Sequence, residues 1–154
     1  MKQIALIIVL FAAALLAGRF LTDTPAPGDT ALPSVTLEPI ACEPSLQACM
    51  AELPDDGSQV QMQILPKDAI KPMKPLQAEV TATGKWHATT LEATGINMNM
   101  GFNRFNFKPG DEQVDHADFM LPICTLKRMQ WEFLLTISDE NSLIHIPFHI
   151  EIES

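Results

Sequence analysis

The sequence predicts an all-β protein: an immunoglobulin-like antiparallel β-sandwich of about seven strands, preceded by one N-terminal hydrophobic helix. Three observations predict this class. From residue 59 onward apolar and polar residues alternate, which is the period of a strand with one buried face. Turn residues separate the alternating runs, as in a sandwich of short strands. An uncharged apolar stretch near residue 1 is typical of an export signal.

The N-terminal stretch runs from Ile4 to Gly18 without a charge, after Lys2 and before Arg19. As a helix it would be about 22 Å long, against a hydrocarbon core of about 30 Å, so length does not separate a cleaved signal peptide from an anchor. A Leu at −3 of Leu16-Ala17-Gly18 disfavours cleavage there. We therefore expect residues 1–22 to be a signal-anchor, with residues 4–21 in a bacterial inner membrane; a cleaved signal peptide is the alternative.

The positive-inside rule keeps Lys2 in the cytoplasm, so the C-terminal domain of this single-pass protein is predicted to lie in the periplasm. The chain of 154 residues carries 10 Lys and Arg against 19 Asp and Glu, a formal charge of −9. Such an acidic chain is not expected to bind nucleic acid. Without residues 1–22 the charge becomes −11, and anionic headgroups would repel such a domain.

Residues 23–58 contain half of the 12 prolines and are interpreted as a Pro-rich linker. Within it, Cys42 and Cys49 are expected to form a disulfide in the oxidising periplasm. The closed loop would stabilise the chain by about 2.5 kcal/mol. The third cysteine, Cys124, could replace one of these partners, remain a buried thiol or bind a metal.

The predicted sandwich domain covers residues 59–154. Alternating runs lie at residues 59–64, 76–83, 86–93, 96–100, 105–107, 119–123, 131–137 and 144–152. Gly95 is expected to make a bend or bulge, and turns are predicted at residues 108–111 and 139–141. Pro147 lacks an N–H group, which places the last strand at an edge or a bulge.

The chain carries no catalytic motif, so no enzyme is expected. His145 and His149 would lie about 13 Å apart on a strand, too far to share a metal ion. The sulfur-containing residues favour a different ligand, because thioether and thiolate donors select Cu(I). The best candidate ligands are Met98, Met100 and Cys124; further candidates are Met120, Met129 and His116.

Other interpretations of the same residues stay open. The methionines could simply fill the core, since methionine commonly occupies gaps. A thiol redox enzyme is disfavoured, because Cys42 and Cys49 are not spaced as Cys-x-x-Cys. Lys67, Lys71 and Lys74 are expected in a solvated loop, with docking of an acidic partner as the alternative.

A membrane helix, a proline-rich spacer and a small sandwich with Met98-Asn-Met-Gly, Leu-Pro-Ile-Cys124 and Met129-Gln-Trp131 resemble small uncharacterised bacterial membrane-anchored periplasmic proteins. More distantly, residues 59–154 resemble the FixH/YtkA-like sandwich family. That resemblance implies an accessory role in the assembly of copper-containing respiratory oxidases or in cation handling.

Two functions are therefore predicted. The first is a non-enzymatic, membrane-anchored periplasmic accessory or interaction module with a protein partner, acting in envelope or respiratory-complex assembly. The alternative is a periplasmic Cu(I) carrier with a Met/Cys site.

Overall fold

The computed structural model describes residues 32–54, 57–110 and 113–153. The predicted N-terminal helix lies outside these residues. Within them, the chain forms ten strands and no helix long and apolar enough to cross a membrane. The strands are β1 Ser34–Thr36, β2 Cys49–Glu52, β3 Gln59–Leu65, β4 Leu76–Ala82, β5 His87–Gly95, β6 Asn103–Asn106, β7 Lys108–Pro109, β8 Val114–Phe119, β9 Arg128–Ser138 and β10 Leu143–Glu153. The all-β prediction is confirmed.

The strands form two five-stranded sheets. Sheet A has the order β1-β10-β9-β5-β6 and sheet B the order β2-β3-β4-β8-β7. Neighbouring strands are antiparallel except for β1, which pairs parallel with the start of β10. Three of the ten strands, β1, β2 and β7, contain only 3, 4 and 2 residues, which accounts for the smaller number predicted.

The core lies between the two sheets. Along β9 the residues Met129, Trp131 and Phe133 are buried while their neighbours are more exposed, as the two-residue period requires. The ring of Phe119 in sheet B lies 5.4 Å from Phe105 and 5.9 Å from Phe133, both in sheet A. These ring contacts show that the inner faces pack on each other as in a β-sandwich.

Part of the segment interpreted as a linker belongs to the sheets. β1 extends sheet A, and β2 extends sheet B by pairing with β3 and buries Cys49 and Ala51 in the core. The predicted Cys42–Cys49 disulfide is confirmed and joins β2 to the preceding turn. The sequence did not indicate these two strands, because the segment is rich in proline and because β1 and β2 are too short to give a clear alternating pattern. The sandwich thus begins near residue 32 rather than at residue 59, and its described core is built from residues 37–152.

Two predicted strands are placed differently. Residues 96–100 form a loop instead of continuing β5, because the chain bends after Gly95 and Ile96 is left exposed. The strand expected at residues 119–123 ends at Phe119 and starts earlier, at Val114. Its inner face includes Asp115, whose buried carboxylate accepts the N–H of Ala88 at 2.7 Å, so the strand did not show an apolar alternation.

Pro147 lies in β10, which has neighbours on both sides at its start. β1 pairs only with the first three residues of β10, and beyond them Ile40 forms a single bridge to Phe148. Pro147 accepts the N–H of Ile40 through its carbonyl and lies past the end of β1, where its missing N–H leaves no gap in the ladder. β10 is therefore an edge strand over its second half only.

Three loops lie at one end of the sandwich. Residues 66–75 join β3 to β4, residues 96–102 join β5 to β6, and residues 120–127 join β8 to β9. The strand registers place all three at the end where β9 begins and β10 ends, and we call these residues the loop end. The opposite end is formed by residues 83–86 and 139–142, which join β4 to β5 and β9 to β10.

Candidate functional site

Two sulfur atoms meet at the loop end. The Sγ of Cys124 lies 3.2 Å from the Sδ of Met98, although the residues are 26 positions apart. The Sγ also accepts the backbone N–H of Leu126 at 3.3 Å. Met98 is 37% exposed and Cys124 is half-buried, so an ion from solvent has access to both sulfur atoms. We call Cys124 and Met98 the sulfur pair.

Two asparagines hold Met98 in position. The side chain of Asn97 donates to the carbonyl of Arg128 at 3.2 Å and accepts the N–H of Gln130 at 3.1 Å. Asn99 accepts the N–H of Gly101 through its side-chain oxygen at 2.9 Å, and Gly101 has a φ of 75° that suits glycine. The loop that carries Met98 is therefore fixed to the start of β9 by side-chain hydrogen bonds.

Gly95 allows this loop to fold closely over the end of β5. A Cβ atom at Gly95 would lie 2.2 Å from the carbonyl oxygen of Met98 and 2.3 Å from the methyl carbon of Met129. The same position is 3.2 Å from the Cγ of Met100. Only glycine fits here, and the side chains of Met100 and Met129 converge over it.

The loop that carries Cys124 is held in place by residues 66–75, which join two strands of sheet B. Leu121 is buried, and its carbonyl accepts the backbone N–H of Met73 at 2.9 Å. This bond ties residues 66–75 to residues 120–127. Since the sulfur pair ties residues 120–127 to residues 96–102, the three loops form one continuous surface.

The other predicted ligands are distributed unevenly. Met100 lies in the same loop as Met98 and is half-buried, with its Cγ next to Gly95. Met129 is buried in the core, as the gap-filling interpretation expects. Met120 is exposed, and among the described residues no hydrogen bond joins its sulfur to Cys124.

His116 is not brought to the sulfur pair. It lies within β8 and pairs with Glu79 on the outer side of sheet B, where its Nδ1 is 3.8 Å from a Glu79 carboxylate oxygen. His145 and His149 also have separate neighbours, Thr136 at 3.0 Å and Glu132 at 3.1 Å. In the described part of the chain, no three His, Cys, Asp or Glu side chains gather as a metal site.

The sulfur pair offers one thiolate and one thioether. Both are soft donors, which favour Cu(I) over the harder divalent ions. Binding would release the thiol proton, and one thiolate would then balance the single positive charge of Cu(I). The resulting site would carry no net charge.

The opposite end has a different chemistry. Lys85 forms an ion pair with Asp139 at 2.5 Å, and Asp139 also accepts the N–H groups of Asn141 and Ser142 at 2.9 and 2.7 Å. The Lys85 ammonium, followed by these N–H groups, holds the pKa of the Asp139 carboxyl well below its ordinary value. A cleft there is lined by Lys85, His87 and Asp139, whose carboxylate is already engaged.

Comparison of the chain with protein-family models, with curated proteins and with solved structures finds no match. The sulfur pair and its surroundings are therefore the evidence that bears on function.

Proposed function

We propose that this protein is a membrane-anchored periplasmic accessory module, non-enzymatic, that carries Cu(I) on Cys124 and Met98. The observation that supports this is the 3.2 Å contact between their sulfur atoms. Two loops from different parts of the chain bring a thiol and a thioether together at an accessible end of the domain. Met100 is the proposed third donor.

The charge of the site favours Cu(I) over zinc. Structural zinc sites use four ligands with several thiolates or imidazoles, and Cys124 is the one free cysteine among the described residues. A single thiolate with thioethers provides the charge and softness that suit a monovalent soft ion. With two or three protein donors the ion stays accessible, as a carrier that passes it to an acceptor requires.

The location is supported by the sequence. The uncharged stretch from Ile4 to Gly18 would hold the domain at the inner membrane, with the sandwich in the periplasm. The resemblance to the FixH/YtkA-like family agrees with an accessory role in respiratory-complex assembly, and the immunoglobulin-like topology is part of the same proposal. A protein that accepts or supplies the ion is the expected partner.

Anaerobic Cu(I) titration of the full chain in detergent, against a competing chelator, tests this proposal. We expect one equivalent to bind, with the affinity reduced by at least about 100-fold in Cys124→Ser and about tenfold in Met98→Leu, because Cys124 supplies the charged thiolate and Met98 a neutral thioether. Met50→Leu is the matched control, because Met50 is an exposed methionine on β2. Wild-type binding no tighter than that of a Met98→Ala, Met100→Ala double variant would contradict the proposal.

The partner is tested separately in cells. A photo-crosslinking residue at Thr125, next to Cys124, should capture a protein, and the same residue at Met50 should not. If the titration fails but Thr125 still captures a partner, the interaction module without metal is the remaining interpretation. If neither experiment succeeds, the accessory role is abandoned.

A further inference from the structure

The loop end exposes an unusual amount of apolar surface. Of the eleven large hydrophobic side chains exposed among the described residues, seven lie in its three loops: Met73, Ile96, Met98, Phe102, Met120, Ile123 and Leu126. Phe102 is 73% exposed and Ile123 is 71% exposed. Because backbone and sulfur contacts join the three loops, these side chains belong to one surface rather than to scattered sites.

The same loops carry positive charge on an acidic protein. Lys67, Lys71, Lys74 and Lys127 are all exposed, and Asp68 is the single acid in the three loops. Lys71 and Lys74 also line a surface cleft in residues 66–75. Just beyond the loops, Arg128 pairs with both Glu151 and Glu153, so these three residues together add one negative charge next to the lysines.

We propose that the loop end docks on an anionic phospholipid surface. Phe102, Ile123 and Met73 would enter the interface between headgroups and acyl chains, and the lysines would contact lipid phosphates. The exposed apolar side chains suit the interface with the acyl chains, and the lysines in the same loops suit the anionic headgroups. Each lysine near an anionic bilayer strengthens binding by roughly fivefold.

The net charge of −11 outside residues 1–22 does not by itself prevent this docking, because part of the negative charge lies far from the loop end. Asp139 and Glu140 lie at the opposite end, beyond the 11 residues of β9. At about 3.3 Å per residue they are some 36 Å from the loop end. Salt screens charges beyond about 10 Å, so these two acids act little at the loop end. A bilayer there would be influenced by Lys67, Lys71, Lys74 and Lys127, which outnumber Asp68 in the loops and Glu151 and Glu153 at the end of β10. This proposal does not depend on Cu(I) binding, but it would bring Cys124 to a membrane.

Vesicle flotation tests the proposal directly. Residues 32–154 are used, because the full chain would bind through its apolar N-terminal stretch, and this part contains the whole described core. A cooperative urea transition confirms that it is folded. We expect it to float with phosphatidylcholine vesicles containing a quarter of phosphatidylglycerol, and to be released from them by high salt. It should not float with pure phosphatidylcholine.

Substitutions at the loop end test whether this surface is the part of the domain that contacts the vesicles. Lys71→Glu with Lys74→Glu, and separately Phe102→Ser with Ile123→Ser, should each weaken flotation at least tenfold. The matched control is Val35→Ser with Met50→Ser, which changes two exposed hydrophobic residues outside the loop end and should bind as the wild type does. Three results would overturn the proposal: no flotation of the folded domain, equal binding to both vesicles, or equal loss in the control. The first would leave an acidic protein as the occupant of this surface.

Discussion

The side chains at the two ends of the sandwich differ in where they make their contacts, either within the protein or with solvent. At the opposite end the Asp139 carboxylate pairs with Lys85 and accepts the Ser142 hydroxyl, and the neighbouring Trp86 is buried. At the loop end Phe102 and Ile123 point to solvent, and a thiol faces a thioether. The connections at the loop end have 7 to 10 residues, against four residues in each of the two at the opposite end. The two ends therefore differ both in the length of their loops and in how far their side chains are satisfied within the protein.

The side chains at the two ends of the domain are expected to contribute differently to its stability. Side chains that complete their contacts inside the protein contribute to stability, and those at the opposite end do so. Apolar side chains left in water contribute little to folding.

The largest effect is expected from two glycine substitutions, one at each end. Gly95→Ala should lower the free energy of unfolding by about 3 kcal/mol, because the added methyl overlaps the Met98 carbonyl and the Met129 methyl group. Gly84→Ala should cost only about 1 kcal/mol, the penalty for a positive φ, since its nearest atom is the Ser58 Oγ at 3.3 Å. Urea denaturation measures both. Equal losses would mean that the loop over Gly95 is not closely packed.

Removing the disulfide is expected to have the next largest effect. Replacement of Cys42 and Cys49 by serine opens a short loop and should destabilise the domain by about 2.5 kcal/mol. Because neither residue belongs to the sulfur pair, Cu(I) affinity should stay within twofold of the wild type. Thermal unfolding and titration of the same sample test both parts, and loss of Cu(I) binding in the folded variant would place the metal site elsewhere.

A smaller effect, and one that depends on pH, is expected at the opposite end. Since the folded pKa of Asp139 is depressed, its carboxylate stabilises the fold above the unfolded pKa of about 3.9. This stability is lost as the pH falls through the lower folded pKa. Asp139→Asn should therefore be less stable than the wild type from pH 7 to about pH 5, and the difference should shrink below about pH 4. A difference that is constant with pH would contradict the ion pair.

The smallest effect on stability is expected where the surface is most exposed. Phe102→Ser with Ile123→Ser should change the free energy of unfolding by no more than about 0.5 kcal/mol, because both side chains are in water in the folded protein. Chemical denaturation of residues 32–154 measures it. A loss of several kcal/mol would show that these residues support the fold, which would remove the contrast between the two ends.

The regular part of the fold could be predicted from the sequence, because long strands with one buried face alternate clearly. β3, β4, β9 and β10 lie close to where the alternation placed them. The two-residue period fails where strands are short or contain a buried charge. β1 and β2 were hidden by prolines, and β8 by Asp115, whose partner at Ala88 is distant in sequence. The turn at residues 139–141 was predicted because Asp139 and Asn141 are local turn residues.

The sequence indicated which residues could serve as soft metal donors, but it did not indicate where they lie relative to one another. Met98, Met100 and Cys124 were selected as soft donors, and the structure brings Cys124 to Met98. The expectation that Met98 and Met100 lie on an extended strand failed, because the side chains of Asn97 and Asn99 bond to the backbone and favour a loop. The sequence could not show that His116 lies away from these residues, because its position in sheet B depends on a strand register that the sequence does not reveal.

X-ray absorption spectroscopy of the Cu(I)-loaded full chain tests the central claim most directly. The account predicts a first shell of two or three sulfur atoms and no nitrogen scatterer, with one sulfur lost in Cys124→Ser and another in Met98→Leu. A shell containing imidazole nitrogen, or a spectrum unchanged when both residues are replaced, would contradict it.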